Sequence, residues 1–160
     1  IGVFDSDYGY LYEDTDISWR VWLAGYKVLY FSSLESVHMM SATASSTYSH
    51  SRRQFMSKRN KMVTFLKNLE WVTLIRLSPI ILMVLLVELI ILKPKAAIFM
   101  GNIDPFLNFK KIFKKRKEIK KFRKITDKEI VTFFVSDHWK VIKRCIGGNL
   151  KFNSSLLKRN

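Results

Sequence analysis

The sequence predicts an α/β segment at the start of the chain, followed by membrane-associated helices. Helical periodicity over residues 14–24 precedes a short apolar run at 27–31, and this change of pattern is typical of α/β proteins. Later in the chain come a strongly hydrophobic stretch at 71–92 and a basic amphipathic stretch at 110–124. Segments of these two kinds favour contact with a lipid surface.

The composition favours an anionic partner. The 160 residues include 28 Lys and Arg against 13 Asp and Glu, which gives a formal net charge of +15. Such a charge attracts nucleic acid, acidic lipid or phosphorylated ligands. The only cysteine, Cys145, excludes an internal disulfide and a cysteine-based metal cage. The chain opens on an apolar run without Met, and we expect it to be part of a longer protein.

The first predicted helix spans about Asp14 to Ala24, because Ile17 and Val21 recur on one face at helical spacing. Gly25 follows where a glycine often ends a helix in the left-handed conformation. The apolar run Lys27 to Phe31 then predicts a short buried strand. A second helix is predicted over about Arg52 to Leu69, with an apolar stripe and a basic side.

The hydrophobic stretch at 71–92 is about as long as a helix that crosses a bilayer core of roughly 30 Å. Arg76, Pro79 and Glu88 interrupt it, and a charge inside a span is costly unless it pairs or reaches the interface. Three interpretations follow from these residues: an interfacial or re-entrant helix, a true span, or a buried core helix.

The stretch 110–124 holds ten basic residues and one acid, Glu118. Ile112, Ile119 and Phe122 form one narrow apolar face, as expected for a basic amphipathic helix on an anionic membrane. Basic residues interleaved with phenylalanine can also bind nucleic acid, which is the less favoured interpretation. The residues predicted to face the membrane surface are Lys110, Lys111, Lys114, Lys115, Arg116, Lys117, Lys120 and Lys121. Downstream, Thr126 and Glu129 are spaced as a capping box.

An acid cluster marks the start of the first helix. Glu13, Asp14 and Asp16 place three carboxylates within four positions. Carboxylates in a first helical turn stabilise the helix dipole by about 0.3–1 kcal/mol each, and that role alone could explain them. A cluster of this kind could equally supply a general base for catalysis.

The residues around this cluster carry a resemblance to a known family. The order of residues is Phe4-Asp5, Leu11-Tyr12-Glu13-Asp14, Asp16-Ile17, Trp19-Arg20 and Ala24-Gly25-Tyr26-Lys27-Val28-Leu29-Tyr30, followed by Val37-His38, Ser41-Ala42-Thr43 and Arg59-Asn60. It resembles the acceptor-side half of family 2 glycosyltransferases, and most closely their rhamnosyltransferase-like branch. The likeness covers about residues 2–130, and it is most specific in its first block. It implies the C-terminal half of a GT-A α/β domain followed by membrane-associated helices.

The resemblance implies transfer of a sugar, with inversion, from a nucleotide-sugar donor to a glycan or lipid-linked acceptor. Asp14 would be the catalytic base that deprotonates the acceptor hydroxyl. Glu13 and Asp16 would orient the acceptor or hold the start of the helix. Arg20 would pair with Asp16, and Trp19 would line the acceptor pocket, although core packing explains a tryptophan here equally well.

The resemblance also implies a divalent cation, Mg²⁺ or Mn²⁺, held mainly by residues that this chain does not contain. His38 matches a family histidine near the metal, but Met39 and Met40 depart from the family pattern after it. Arg59 and Asn60 match a pair on the next helix, and they would bind the diphosphate. Because the nucleotide-binding half is not found in the sequence, we expect the chain alone to be inactive.

These expectations divide the chain into four parts. Residues 1–69 would be the acceptor-side part of the catalytic domain, 70–100 the hydrophobic membrane-associated segment, 101–146 the basic amphipathic region and 147–160 a flexible tail. Basic helices beside apolar segments favour the cytoplasmic face of the cell membrane. The alternative function is a membrane-surface anchor without catalysis, which explains residues 71–124 but leaves the acid cluster unexplained.

Overall fold

The computed structural model describes residues 1–29, Ser33 and 47–131, and the regular structure of these residues is helical. The helices are α1 (Glu13–Leu23), α2 (His50–Asn68), α3 (Trp71–Ile91), α4 (Lys95–Leu107), α5 (Phe109–Phe122) and α6 (Asp127–Val131). Residues up to Ile130 belong to one compact unit.

The predicted α/β fold is wrong. Within the described residues there is no β-strand, so this part of the chain is all-α and not the C-terminal half of a GT-A domain. Residues 27–29 of the predicted strand have no regular structure, and Val28 and Leu29 are exposed. A strand needs a neighbour that satisfies its backbone N–H and C=O groups, and the described ranges supply none. The end of the predicted strand, His38 and Cys145 lie outside the described residues.

The first helix is confirmed, and it ends as predicted at Gly25. Gly25 has a φ of 83°, a conformation that a glycine adopts without steric cost. Its N–H donates to the carbonyl of Trp22 at 2.9 Å, while the N–H of Tyr26 donates to that of Val21 at 3.1 Å. These two bonds form a Schellman motif, which satisfies carbonyls that the helix end would otherwise leave unpaired.

The second helix, α2, is the central element, since α1, α4 and α5 all pack against it. It begins where the Ser49 side chain accepts a hydrogen bond from the N–H of Arg52 at 3.3 Å. At Gly101 of α4, an added Cβ would lie 2.5 Å from the carbonyl oxygen of Phe55. The missing side chain therefore allows α4 to approach the backbone of α2 closely.

Two apolar clusters form the core. The larger one joins α2, α3 and α5 to the N-terminal loop, and the smaller one joins the ends of α1, α5 and α6. The larger consists of Tyr8, Val63, Leu66, Leu69, Leu74 and Ile112, and the smaller of Leu23, Ile119 and Ile130. Ile112 and Ile119 belong to the apolar face of α5 that the sequence placed on the membrane surface; instead, both side chains pack in the protein core.

The capping box ahead of α6 is also confirmed. The N–H of Glu129 donates to the Thr126 hydroxyl at 3.3 Å, and the N–H of Thr126 donates to the Glu129 carboxylate at 2.8 Å. This reciprocal pair satisfies two donors at the start of the helix.

The hydrophobic stretch forms a continuous helix, α3, despite Pro79 in its interior. It is long and apolar enough to cross a membrane. Among its residues only Leu74 is buried, whereas Ile75 and Ile90 are more than 70% exposed. The interpretation as a buried core helix therefore does not hold.

Candidate functional site

The acid cluster divides into residues with different surroundings. Asp16 is fully buried, Glu13 is partly buried and Asp14 is exposed. The Asp14 carboxylate accepts hydrogen bonds only from its neighbour Thr15, from the backbone N–H at 2.6 Å and the hydroxyl at 3.3 Å, among the bonds of the described residues. Asp14 is therefore the member of the cluster whose carboxylate can meet a ligand from solution.

Asp16 is committed to the interior. Its carboxylate accepts from Arg20 Nε at 2.9 Å, Lys67 Nζ at 2.7 Å, Asn68 Nδ2 at 2.9 Å and the Tyr8 hydroxyl at 3.3 Å. The predicted Asp16–Arg20 pair is thus present. Because a buried carboxylate is costly unless it is paired and hydrogen-bonded, this set of partners explains how Asp16 is tolerated. We call these five residues the Asp16 network.

The Asp16 network extends to the N-terminal loop. Arg20 donates to the backbone carbonyls of Ile1 and of Val3, the latter at 2.8 Å. Lys67 also pairs with Asp5 at 2.8 Å, and Lys115 of α5 pairs with Asp5 at 2.5 Å. Burial alone would raise the pKa of the Asp5 carboxyl, but the hydrogen bonds from Lys115 and Lys67 outweigh burial and lower it. The loop, α1, α2 and α5 are therefore held together by charge.

The backbone directly before Glu13 is in an unfavourable conformation. Leu11 and Tyr12 both have a φ of 69°, in the left-handed region that residues with a Cβ rarely adopt. Each such residue costs on the order of 1–3 kcal/mol, and conformations of this kind cluster at functional sites. The start of α1 is therefore a place where the fold imposes a particular backbone path.

Asn60 holds this backbone in place. It is buried, and its Nδ2 lies 2.9, 2.7 and 2.9 Å from the carbonyl oxygens of Tyr8, Tyr10 and Leu11. Its neighbour Arg59 donates to the Asp7 carbonyl at 2.8 Å and pairs with Asp104 at 3.0 Å. In this structure both members of the predicted diphosphate-binding pair are therefore used within the protein.

Trp19 packs in the interior between the two apolar clusters. Its ring meets Phe65 edge-on, with 6.4 Å between ring centroids. Its Nε1 is buried, and no side chain or carbonyl of the described residues forms a hydrogen bond with it. The packing supports the core role for Trp19 that the sequence left open beside the acceptor-pocket role.

Glu88 belongs to this region, although sequence reasoning treated it only as an interruption of the hydrophobic stretch. Its Oε1 accepts from Lys58 at 3.0 Å and from Lys61 at 2.7 Å, both on α2. Burial and then the charge of Glu88 raise the pKa of the Tyr12 hydroxyl. Tyr12 also packs against the larger apolar cluster, to which Leu74 of α3 belongs. A carboxylate in an apolar helix requires a partner, and the basic side of α2 was the signal that could have identified it.

The basic residues of α5 divide between the surface and the interior. Lys110, Lys114, Lys117, Lys120 and Lys121 are exposed, Lys111 is exposed but pairs with Asp7, and Lys115 and Arg116 are partly buried. The Arg116 guanidinium lies over the Trp71 ring, 4.1 Å from its centroid, and donates to the Leu66 carbonyl at 2.7 Å. Arg116 and Trp71 line a cavity of about 340 Å³ at the junction of α3 and α5.

The metal that the resemblance implies would be held mainly by residues that this chain does not contain, with His38 as the contribution of this chain. Across 1–29 and 47–131, no three His, Cys, Asp or Glu side chains are grouped so that they could hold a metal ion. His38 lies outside the described residues.

The candidate site is thus the start of α1, with Asp14 exposed and Glu13 partly buried on a backbone fixed by Asn60 and the Asp16 network. Tyr12, just before this site, packs against the apolar cluster that includes Leu74 of α3. Comparison with family models, curated proteins and solved structures finds no match to this chain.

Proposed function

We propose that this chain is a membrane-associated part of a family 2 glycosyltransferase, and that Asp14 is its catalytic base. The observation that supports it most is the exposed Asp14 carboxylate at the end of a strained loop, beside two acids that are turned inward. A cluster that served only the helix dipole would not require this loop conformation. The proposal depends on the residues of α1 and not on an α/β fold.

In the proposed reaction, Asp14 removes the proton from one hydroxyl of the acceptor sugar. The hydroxyl oxygen attacks the anomeric carbon of the nucleotide-sugar and forms the new glycosidic bond. The bond from that carbon to the diphosphate breaks, and the nucleoside diphosphate leaves with the electron pair. Attack opposite the leaving group inverts the anomeric configuration. Asp14 needs to be accessible to the acceptor for this role, and its side chain is exposed.

The surroundings of Asp14 support an acceptor that is attached to or lies at a membrane. Tyr12, two residues before Asp14, packs against the apolar cluster that includes Leu74 of α3, and most of the α3 surface is apolar and exposed. The exposed lysines of α5 add affinity for anionic lipid. The acceptor in this proposal is therefore a glycan or a lipid-linked sugar at the cytoplasmic face of the membrane, and the partner surface is anionic lipid.

The test is nucleoside diphosphate release by the full-length protein in membranes, with a panel of nucleotide-sugars and added Mg²⁺ or Mn²⁺. The Asp14→Asn variant should lose release by at least a hundredfold, since general bases contribute about 10²–10⁴-fold. The matched control is Glu118→Gln, which neutralises another exposed acid, on the basic helix α5. Full release by a folded Asp14→Asn variant would overturn the proposal.

A membrane anchor without catalysis is the second candidate, and the exposed apolar surface of α3 favours it. An anchor would bind vesicles whether or not residue 14 carries a carboxylate. Absence of diphosphate release from the wild-type protein with every donor, together with strong vesicle binding, would favour the anchor.

A further inference from the structure

Helix α3 meets the length and composition requirements for a membrane span. Its less exposed residues include one stripe that consists of Leu74, Leu77, Ile81, Leu85 and Glu88. These positions are separated by three or four residues, so they share one face of the helix along its whole length. The opposite face, with Ile75, Leu86 and Ile90 among its residues, is exposed.

The elements on the two sides of α3 in the chain pack against each other. α2 precedes α3, and α4 and α5 follow it, yet both of the later helices contact α2. Arg59 of α2 pairs with Asp104 of α4 at 3.0 Å, and Arg116 of α5 donates to the Leu66 carbonyl of α2 at 2.7 Å. A helix that crossed the bilayer once would leave α2 and α4 on opposite sides of a core roughly 30 Å thick.

Both ends of α3 are also attached to this same body. At its start, Trp71 lies under Arg116 of α5. Near its end, Glu88 pairs with Lys58 and Lys61 of α2. Just beyond the end of α3, the carbonyl oxygen of Lys93 lies 3.1 Å from Nε2 of His50, the first residue of α2. α3 therefore runs back along α2 from the last residues of α2 to the first.

In another arrangement, α2 and α3 would both cross the bilayer side by side. The composition of α2 excludes it. This helix carries Arg52, Arg53, Lys58, Arg59, Lys61 and Lys67 within 19 residues. Each Lys or Arg at the centre of a bilayer costs about 2.5–3.5 kcal/mol even on the most permissive scale. A helix with this composition remains outside the hydrocarbon core.

From these contacts we infer that α3 is an in-plane membrane helix, embedded in one leaflet along its length. The stripe that begins at Leu74 and ends at Glu88 faces the protein, and the exposed residues face the lipid. The partner of α3 is the boundary between the headgroups and the acyl chains of an anionic bilayer. Trp71 and Phe109 are both exposed, and their ring centroids lie 6.2 Å apart. Aromatic rings are concentrated at the boundary between headgroups and acyl chains.

Charge and apolar surface agree with this placement. Lys110 and Lys114 are exposed on α5 next to Phe109, where they can reach lipid phosphates. Arg76, exposed on α3, can extend its charged group to the interface while its stem stays among the chains. The inference is independent of sugar transfer, since it rests on which helices contact each other.

The first test is the sidedness of the full-length protein, in a Cys145→Ser background with single cysteines at Ser51 on α2 and Lys95 on α4. Both positions are exposed. A membrane-impermeant maleimide applied to sealed vesicles should label both variants from the same side. Labelling of the two positions from opposite sides would show that α3 crosses the membrane, and would overturn the inference.

The second test measures depth with an environment-sensitive fluorophore and lipids brominated at different positions along the acyl chain. Cysteines at Ile75, Met83 and Ile90 should all report the same shallow depth. In a span, Met83 would lie near the bilayer centre, well below the other two. Leu77→Cys, on the protein-facing stripe, is the matched control, and it should be quenched least. No quenching at any position would contradict membrane insertion.

Discussion

Replacing Asp16 by Asn should destabilise the protein far more than replacing Asp14, although the two acids lie two positions apart. Asp16 is fully buried and accepts from Arg20, Lys67, Asn68 and Tyr8 at 2.7–3.3 Å. Asparagine keeps the size of the side chain but removes its charge. It leaves Arg20 without a carboxylate partner among the described residues and Lys67 with Asp5 alone.

The magnitude follows from burial. Arg20 is 5% exposed and Lys67 is 2% exposed, so water cannot replace the lost carboxylate. Breaking a buried ion pair by removing one partner costs about 3–5 kcal/mol. For a unit of this size that corresponds to a fall in melting temperature on the order of 10–20 °C. Asp14→Asn, at an exposed site, should change stability by no more than about 0.5 kcal/mol.

The assay is thermal unfolding followed by far-ultraviolet circular dichroism, with both variants and the wild type in the same detergent. Lys67→Met and the Asp16→Asn, Lys67→Met double variant complete a double-mutant cycle. The cycle should return a coupling free energy above about 1 kcal/mol, because the two residues are in direct contact. If Asp16→Asn melts within 2 °C of the wild type, the Asp16 network does not stabilise the fold as argued.

Three other predictions follow from the same structure. Asp5→Asn should make the free energy of unfolding depend less on pH below about pH 4. The pKa of Asp5 is lowered in the folded state, so the ionised carboxylate stabilises the fold fully above its unfolded pKa of about 3.9. This stabilisation is lost as the pH falls further. Urea unfolding at pH 5 and pH 3 measures this, and an equal loss in both proteins would contradict it. Asn60→Ala should lower the free energy of unfolding, measured in urea, by about 1–3 kcal/mol, and it should reduce diphosphate release. The carbonyls of Tyr8, Tyr10 and Leu11 then lose the Asn60 amide as a hydrogen-bond donor. Leu86→Lys should weaken binding to anionic vesicles in high salt by roughly tenfold or more. The reason is that a largely exposed leucine contributes about 1.5–3 kcal/mol when it enters lipid. Unchanged binding would show that this face of α3 does not enter the bilayer.

Local patterns that depend on near neighbours were predictable. The end of α1 at Gly25 and the capping box at Thr126 and Glu129 were both foreseen from the sequence, and both are present. Each depends on residues within about two helical turns, so a short stretch of sequence contains the whole interaction. The Asp16–Arg20 pair was foreseen for the same reason, since it joins residues four apart on one helix.

The predicted strand failed because strand formation is not a local property. The apolar run at 27–29 could be stabilised as a strand only by a neighbouring strand, and the described residues contain none. The sequence pattern records which side chains are apolar. It does not record whether a partner for the backbone is available.

The candidate site was located by sequence, but its organisation was not. The acid cluster and the resemblance drew attention to Glu13, Asp14 and Asp16 together. That Asp16 is buried and Asp14 exposed depends on Lys67 and Asn68, which lie more than fifty positions away. The left-handed backbone at Leu11 and Tyr12, and the Asn60 amide that holds it, could not be read from either segment alone.

The sequence by itself determined the positive charge, the apolar helix at 71–91 and the basic amphipathic helix after it, because these depend on composition and helical period. Only the tertiary structure decided that the flanking helices α2 and α4 contact each other, and with that how α3 can sit in a membrane. The physical reason is that hydropathy measures the affinity of a segment for lipid, whereas crossing the bilayer depends on where the chain goes on either side of that segment.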